Sequence, residues 1–135
     1  MSIKDEFSVA AIVYNKNDYL LLKYGQGYWG LVKGHKEKNE SDEQTIFREL
    51  QEETSITDAT VITGFKEKYD YYFTFKEQKI HKYVNCYLLR SNTKKVILSY
   101  EHEDFAWLPF DEALKRLTYD STKRILKKAN KLVRR

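Results

Sequence analysis

Residues 7–14 and 19–24 form two short blocks rich in β-branched and aromatic side chains, with Asn15, Asn17 and Asp18 between them. That pattern predicts a β-hairpin. Gly25, Gly27 and Gly30 then punctuate a loop around Tyr28 and Trp29. Ser41 and Gln44 stand at the spacing of a capping box, in which a hydroxyl accepts an orphan backbone N–H and an amide reaches back to the cap. A helix over about residues 42–54 follows, with Ile46, Phe47 and Leu50 as its apolar stripe. Residues 61–75 and 79–89 read as strands; in the first, Tyr69, Tyr71, Phe73 and Phe75 fall on one face at period two. Residues 96–98 predict a further short strand, and residues 107–109 lead into a helix near 111–117. Ile125, Ala129 and Leu132 recur at helical spacing in the last stretch. Strands dominate the middle of the chain, while helices stand near residue 45 and after residue 110. The pattern therefore predicts an α+β fold, a mixed β-sheet flanked by helices, and not a regular βαβ repeat.

The length of 135 residues suits one domain over 1–135 with a core large enough to need no disulfide or structural metal. The longest apolar run, residues 9–14, is too short to span a bilayer, and the mixed-charge start predicts no secretory leader. Cys86 is the sole cysteine, so the expected compartment is reducing, the cytoplasm. The net charge of +4 is unevenly spread. Lys123, Arg124, Lys127, Lys128, Lys131, Arg134 and Arg135 face no acidic residue over 123–135, and without these seven cations the rest of the chain carries −3. This predicts a docked terminal helix with a solvated basic face, polyphosphate or RNA contact being the alternative.

The candidate chemistry lies on the helix at 42–54. Glu49 precedes Glu52 by three residues and Glu53 by four, so all three carboxylates share one edge. Like charges at that spacing repel by a few tenths of a kcal/mol per pair, and the macrodipole disfavours anions in the last turns of a helix. Two local penalties at one place call for a positive partner. Hard oxygen donors suit Mg²⁺ or Mn²⁺, which keep several waters and bridge to phosphates. Arg48, four residues before Glu52, is placed to orient one of the carboxylates.

Gly34, five residues, Glu40, seven residues, then Arg48-Glu49-Leu50-Gln51-Glu52-Glu53 and Ile56 resembles the box that defines Nudix hydrolases, with Ser55 where that family has glycine. A residue just past a helix end needs φ > 0, which serine adopts at a cost of about 1 kcal/mol. Three further segments resemble the asymmetric diadenosine tetraphosphate hydrolases: Trp29-Gly-Leu-Val-Lys33-Gly34-His35, with Val32 for the family's proline; Gly64-Phe-Lys66; and Leu98-Ser-Tyr-Glu101-His102 with Trp107-Leu108. The resemblance implies a Nudix-like α/β/α sandwich and hydrolysis of a phosphoanhydride bond in a nucleoside polyphosphate, diadenosine tetraphosphate giving ATP and AMP. It implies that Glu49, Glu52 and Glu53 bind the cations, with the Lys33 carbonyl and Glu101 as added ligands. Such cations screen the phosphates, polarise phosphorus and acidify a bound water. Glu49 or Glu101 then takes the proton, the choice being open. Lys33, His35 and Lys79 are candidate substrate contacts, and Tyr28, Tyr71 and Tyr83 are candidates to stack on a purine, with core packing the alternative for each. Glu103 and Asp104 read as a solvated acidic loop and His102 as structural. RNA 5′ ends are the second expected substrate; a silent nucleotide-binding domain is the rival reading. No membrane and no protein partner is expected.

Overall fold

The computed structural model describes residues 2–134; Met1 and Arg135, the last cation of the basic stretch, lie outside them. The elements in chain order are β1 (Lys4–Asn15), β2 (Asp18–Tyr24), β3 (Trp29–Gly30), β4 (Val32–His35), α1 (Asp42–Thr54), β5 (Ala59–Phe75), β6 (Gln78–Ser91), β7 (His102–Pro109), α2 (Phe110–Arg116) and α3 (Asp120–Val133). The sheet is mixed. Its order is β3-β2-β1-β6-β5, with β4 also paired to β1 and β7 to β2. β1 runs parallel to β6, from Lys4 opposite Ile80 to Tyr14 opposite Arg90, and every other pairing is antiparallel.

Val9, Ala10, Ala11, Ile12 and Val13 are all buried, as an apolar run covered on both faces requires. One face packs Val9, Ala11 and Val13 against Ile46 and Leu50 of α1. The other packs Ala10 and Ile12 with Ala113 and Leu117 from the α2 end and Ile125, Leu126 and Ala129 of α3. Helices on both faces make the α/β/α sandwich expected from the sequence. The basic side chains Arg124, Lys127, Lys128 and Lys131 lie on the exposed side of α3, away from this core. Among the described residues no helix is long and apolar enough to cross a membrane.

Three local expectations are corrected. Residues 29–30 and 32–35 are strands, because their backbone pairs with β2 and β1. Residues 96–98 form no strand: the Ile97 N–H donates to the Thr54 carbonyl (3.0 Å) and the Ser99 N–H to the Glu53 carbonyl (3.1 Å), so this segment satisfies the open C-terminal end of α1 instead. The acidic loop is mostly strand, since His102 and Asp104 pair with Tyr24 and Lys23, and only Glu101 stays in the preceding turn.

The capping box forms at both bonds, Gln44 N–H to Ser41 Oγ at 3.1 Å and Ser41 N–H to Gln44 Oε1 at 2.9 Å. At the other end Ser55 occupies the left-handed region (φ 65°) and its N–H returns to the Gln51 carbonyl. Ser55→Gly is therefore expected to stabilise the fold by up to about 1 kcal/mol. Chemical denaturation would register this as a higher midpoint with unchanged slope; a lower midpoint would contradict it.

Candidate active site

Arg48 organises the acidic end of the site. Its guanidinium grips both oxygens of Glu40 (Nε to Oε2 2.7 Å, Nη2 to Oε1 2.9 Å), donates to Glu49 Oε1 at 2.8 Å and to the His35 carbonyl at 3.0 Å, and reaches Glu52 only at 3.3 Å. The planar fork suits this multiple engagement. Arg48 and the Glu37 N–H hold the Glu40 carboxyl down at about 2. Sequence spacing placed Arg48 beside Glu52, whereas its main partner is Glu40, eight residues back, which ties the loop before α1 to the carboxylate edge.

Glu49 lies directly over Gly34 of β4. A methyl group at Gly34 would sit 1.9 Å from Glu49 Cδ, so any side chain at this crossing must displace Glu49 or the strand. Burial raises the Glu49 carboxyl above the usual range, against the pull of Arg48. Glu53 is deeper, only 5% exposed. Among the described residues its carboxylate has one hydrogen bond, from the Lys33 N–H at a long 3.4 Å. Burial, then the charge of Glu49, pushes its carboxyl up to about 8. Glu52 is the solvent-facing member of the three, its side chain 57% exposed. Close to Glu53, the His102 side chain is buried with Nε2 lacking any hydrogen-bond partner among the described residues, 4.0 Å from Glu53 Oε2.

These residues fit a hard divalent cation. The donors are all oxygen, the deepest carboxylate has no lysine or arginine in ion-pair contact among the described residues, and a polar imidazole atom is left unpaired beside it. Among the described residues no three acidic, imidazole or thiol side chains converge on one point, because Arg48 draws Glu49 towards Glu40. Glutamate side chains rotate easily, and a buried carboxylate without a partner is costly, so a cation arriving at Glu53 would draw the other carboxylates in.

Two clefts meet here. The acidic one, about 580 Å³, takes in Lys33, His35, Arg48, Glu49, Glu52, Glu53 and Glu101. The aromatic one, about 510 Å³, is walled by Tyr28, Tyr69, Tyr71, Phe73 and Tyr119. Tyr24, Gln26, Tyr28 and Lys33 line both, so the two are one continuous groove with Lys33 at the junction. Burial lowers the Lys33 amine, which donates to the Tyr71 hydroxyl at 2.9 Å. Tyr28 stacks on Tyr24 (4.6 Å, 7°) and leans on Tyr119 at 5.3 Å.

The structure thus brings together Lys33, His35, Arg48, Glu49, Glu52, Glu53 and Glu101 in the acidic cleft, and Tyr28 and Tyr71 in the aromatic one. It does not bring Lys79 and Tyr83 to either. Successive strand residues face opposite ways, and Tyr83 points to the other side of the sheet, stacked on Phe7 (5.4 Å) and against His81 (4.1 Å), while Lys79 lies over Tyr72. One residue earlier, Lys82 faces the groove side. It is 4% exposed, and its Nζ meets Glu6 Oε1, Ser8 Oγ and His35 Nε2, each at 3.2 Å. Burial and the Lys82 charge hold the His35 imidazole below its usual range. Lys82 was legible, being in phase with Ile80, Val84 and Cys86; Tyr119 carried no such signal.

A model of the NUDIX domain matches residues 4–129. The chain is 32% identical over 120 residues to the asymmetrical bis(5′-nucleosyl)-tetraphosphatase of Sus scrofa, covering 86% of this chain and 80% of that one. It is 34% identical over 110 residues to a Mycobacterium tuberculosis protein bearing the mutator name MutT4, 81% of this chain but only 44% of the longer relative. A crystal structure of the Caenorhabditis elegans Ap4A hydrolase in binary complex superposes with a TM-score of 0.82 at 26% identity, over 95% of this chain and 97% of that one.

Proposed function

This chain belongs to the NUDIX domain family and is a Nudix hydrolase, and from that premise we propose that it hydrolyses a phosphoanhydride bond of a dinucleoside polyphosphate, diadenosine tetraphosphate to ATP and AMP, with Mg²⁺ or Mn²⁺. One observation carries the reading: an acidic cleft and a tyrosine-walled cleft share Lys33, Tyr24 and Tyr28 along a single groove. A base seated among Tyr28, Tyr71 and Tyr119 would send its phosphate chain past Lys33 to the three glutamates.

Glu49, Glu52 and Glu53 would hold the cations, with Glu101 and the Lys33 carbonyl as further oxygen donors. Bound there, divalent ions supply charge neutralisation of the phosphates and acidify a water. Arg48 positions Glu49 and, through its bonds to the His35 carbonyl and to Glu40, both ends of the loop between β4 and α1. Lys33, its Nζ 5.2 Å from the centre of the Tyr71 ring, presents a cation to the phosphate chain. Glu49 or Glu101 accepts the proton of the attacking water. Lys82, with His35, adds a second buried cation on the groove side of β6. A lone buried Cys86 suits the reducing cytoplasm as the working compartment.

A panel of nucleotides hydrolysed in ¹⁸O water, with mass analysis of products, tests the reading. Diadenosine tetraphosphate should give ATP and AMP, with label in one of them, and should lead the panel in kcat/KM. The second reading, action on RNA 5′ ends, draws on one observation: the basic exposed side of α3 begins beside Tyr119, Ser121 and Thr122 of the aromatic cleft. Cleavage of triphosphorylated RNA where the dinucleotide stays intact would replace the first reading by the second.

A further inference from the structure

His102 was expected to be structural, yet its surroundings give it a narrower task. Its side chain is 2% exposed. Tyr24 packs edge-on against the ring at 4.6 Å, and the Tyr24 hydroxyl is itself tied to the Leu31 carbonyl, so the imidazole plane is fixed by packing. Nδ1 lies 3.3 Å from Ser99 Oγ. Nε2 has no partner and faces Glu53 Oε2 at 4.0 Å, about 1 Å beyond a hydrogen bond. Ser99 is bound to the same glutamate by its backbone, N–H to the Glu53 carbonyl at 3.1 Å. The turn carrying Glu101 is therefore joined to Glu53 from both sides.

We propose that His102 is a positioning residue for Glu53: its Nε2–H donates to Glu53 Oε2 and holds that carboxylate in the orientation that binds a divalent cation. The tautomer follows from the neighbours. With a cation bound and Glu53 therefore ionised, an Nδ1-protonated ring donating to Ser99 would turn the Nε2 lone pair towards a carboxylate lone pair, an arrangement with no attraction. With Ser99 Oγ–H donating to Nδ1, the Nε2 proton points at Glu53, and a small turn of the glutamate closes the gap. This leaves one carboxylate oxygen hydrogen-bonded and the other free as a ligand, the arrangement by which a partner outside the ligand set fixes a ligand's direction. The proposal rests on Glu53 being a cation ligand.

The test compares wild type, His102→Phe and His102→Gln. Mn²⁺ dissociation constants come from electron paramagnetic resonance, and the ring nitrogens of His102 from ¹⁵N spectra of Mg²⁺-loaded wild type. His102→Phe, which keeps the ring packing, should weaken Mn²⁺ about tenfold. His102→Gln, whose amide N–H reaches the Nε2 position, should recover most of that, and the melting temperature in chelator should differ little among the three. Wild type should show Nε2 protonated and Nδ1 bare. An Nδ1-protonated ring, or undiminished Mn²⁺ affinity in the phenylalanine variant, overturns the proposal; the wild-type spectrum decides alone should that variant not fold. Wild type that binds no Mn²⁺ removes the metal reading and this one with it, whereas binding indifferent to His102 removes only this one.

Discussion

Glu53→Gln should abolish hydrolysis while making the protein, stripped of cations, more stable at alkaline pH. The two halves share one cause. Glu53 is buried beside Glu49, with only a 3.4 Å backbone hydrogen bond in compensation, and its carboxyl is pushed up to about 8. A carboxyl raised in the folded state binds its proton more tightly there than in the unfolded chain. Its contribution to stability is then complete below the unfolded value near 4.5 and is lost as pH rises towards 8. Glutamine is neutral throughout and carries no such slope. In chelator, wild type and variant should melt together near pH 4.5 and separate progressively above it, by on the order of several kcal/mol at pH 9, or roughly 10 °C. Excess Mg²⁺ should close that gap by stabilising wild type alone, since ligand binding to the folded state shifts the melting point. The activity loss should be about a thousandfold or more, mainly in kcat, because glutamine removes a proposed cation ligand at the reacting centre. Melting curves in chelator that coincide at pH 9 would refute the account of Glu53 as a buried carboxylate awaiting a cation. Hydrolysis left intact in the variant would refute its role as ligand.

The parts of the fold legible in the sequence were those written locally. The capping box, the apolar stripe of Ile46 and Leu50 and the edge of Glu49, Glu52 and Glu53 all lie within one helix, where spacing alone sets geometry. Errors came where the partner was distant in the chain. Residues 96–98 look like a strand by composition, but the open end of α1, more than forty residues upstream, takes the N–H groups of Ile97 and the following Ser99. Arg48 has a partner at the expected four-residue spacing, yet the loop folds back and Glu40 offers both oxygens at shorter distance. Tyr83 shows how sharp the failure can be. A one-residue difference along a strand reverses the face, and the buried face carries Lys82 instead, against Glu6, Ser8 and His35. No sequence window could place Tyr119 opposite Tyr28, since that contact is made by packing α3 across the sheet.

Gly34→Ala should leave the fold standing and disable the site. The Cβ would lie 1.9 Å from Cδ, 2.2 Å from Oε1 and 2.3 Å from Cγ of Glu49, distances no real contact reaches. Either β4 or Glu49 must move. β4 is held by its pairing to β1 across Val9–Gly34 and Ala10–Lys33, in a buried part of the sheet, whereas Glu49 is a flexible side chain already drawn sideways by Arg48. The glutamate yields, so the added methyl acts as a wedge that displaces one proposed ligand without touching its chemistry. Glycine is required here for closeness of approach and not for a special backbone angle, Gly34 lying outside the positive-φ positions of the chain. Activity should fall about a hundredfold or more, Mn²⁺ affinity should weaken, and the melting temperature in chelator should shift by only a few degrees. A double-mutant cycle gives the decisive measurement. If the wedge works only through Glu49, then Gly34→Ala combined with Glu49→Ala should be no slower than Glu49→Ala alone, a full failure of additivity. Losses that instead multiply would mean that β4 itself has shifted, carrying Lys33 and His35 out of the groove, and that the crossing of Gly34 under Glu49 is a matter of sheet packing alone.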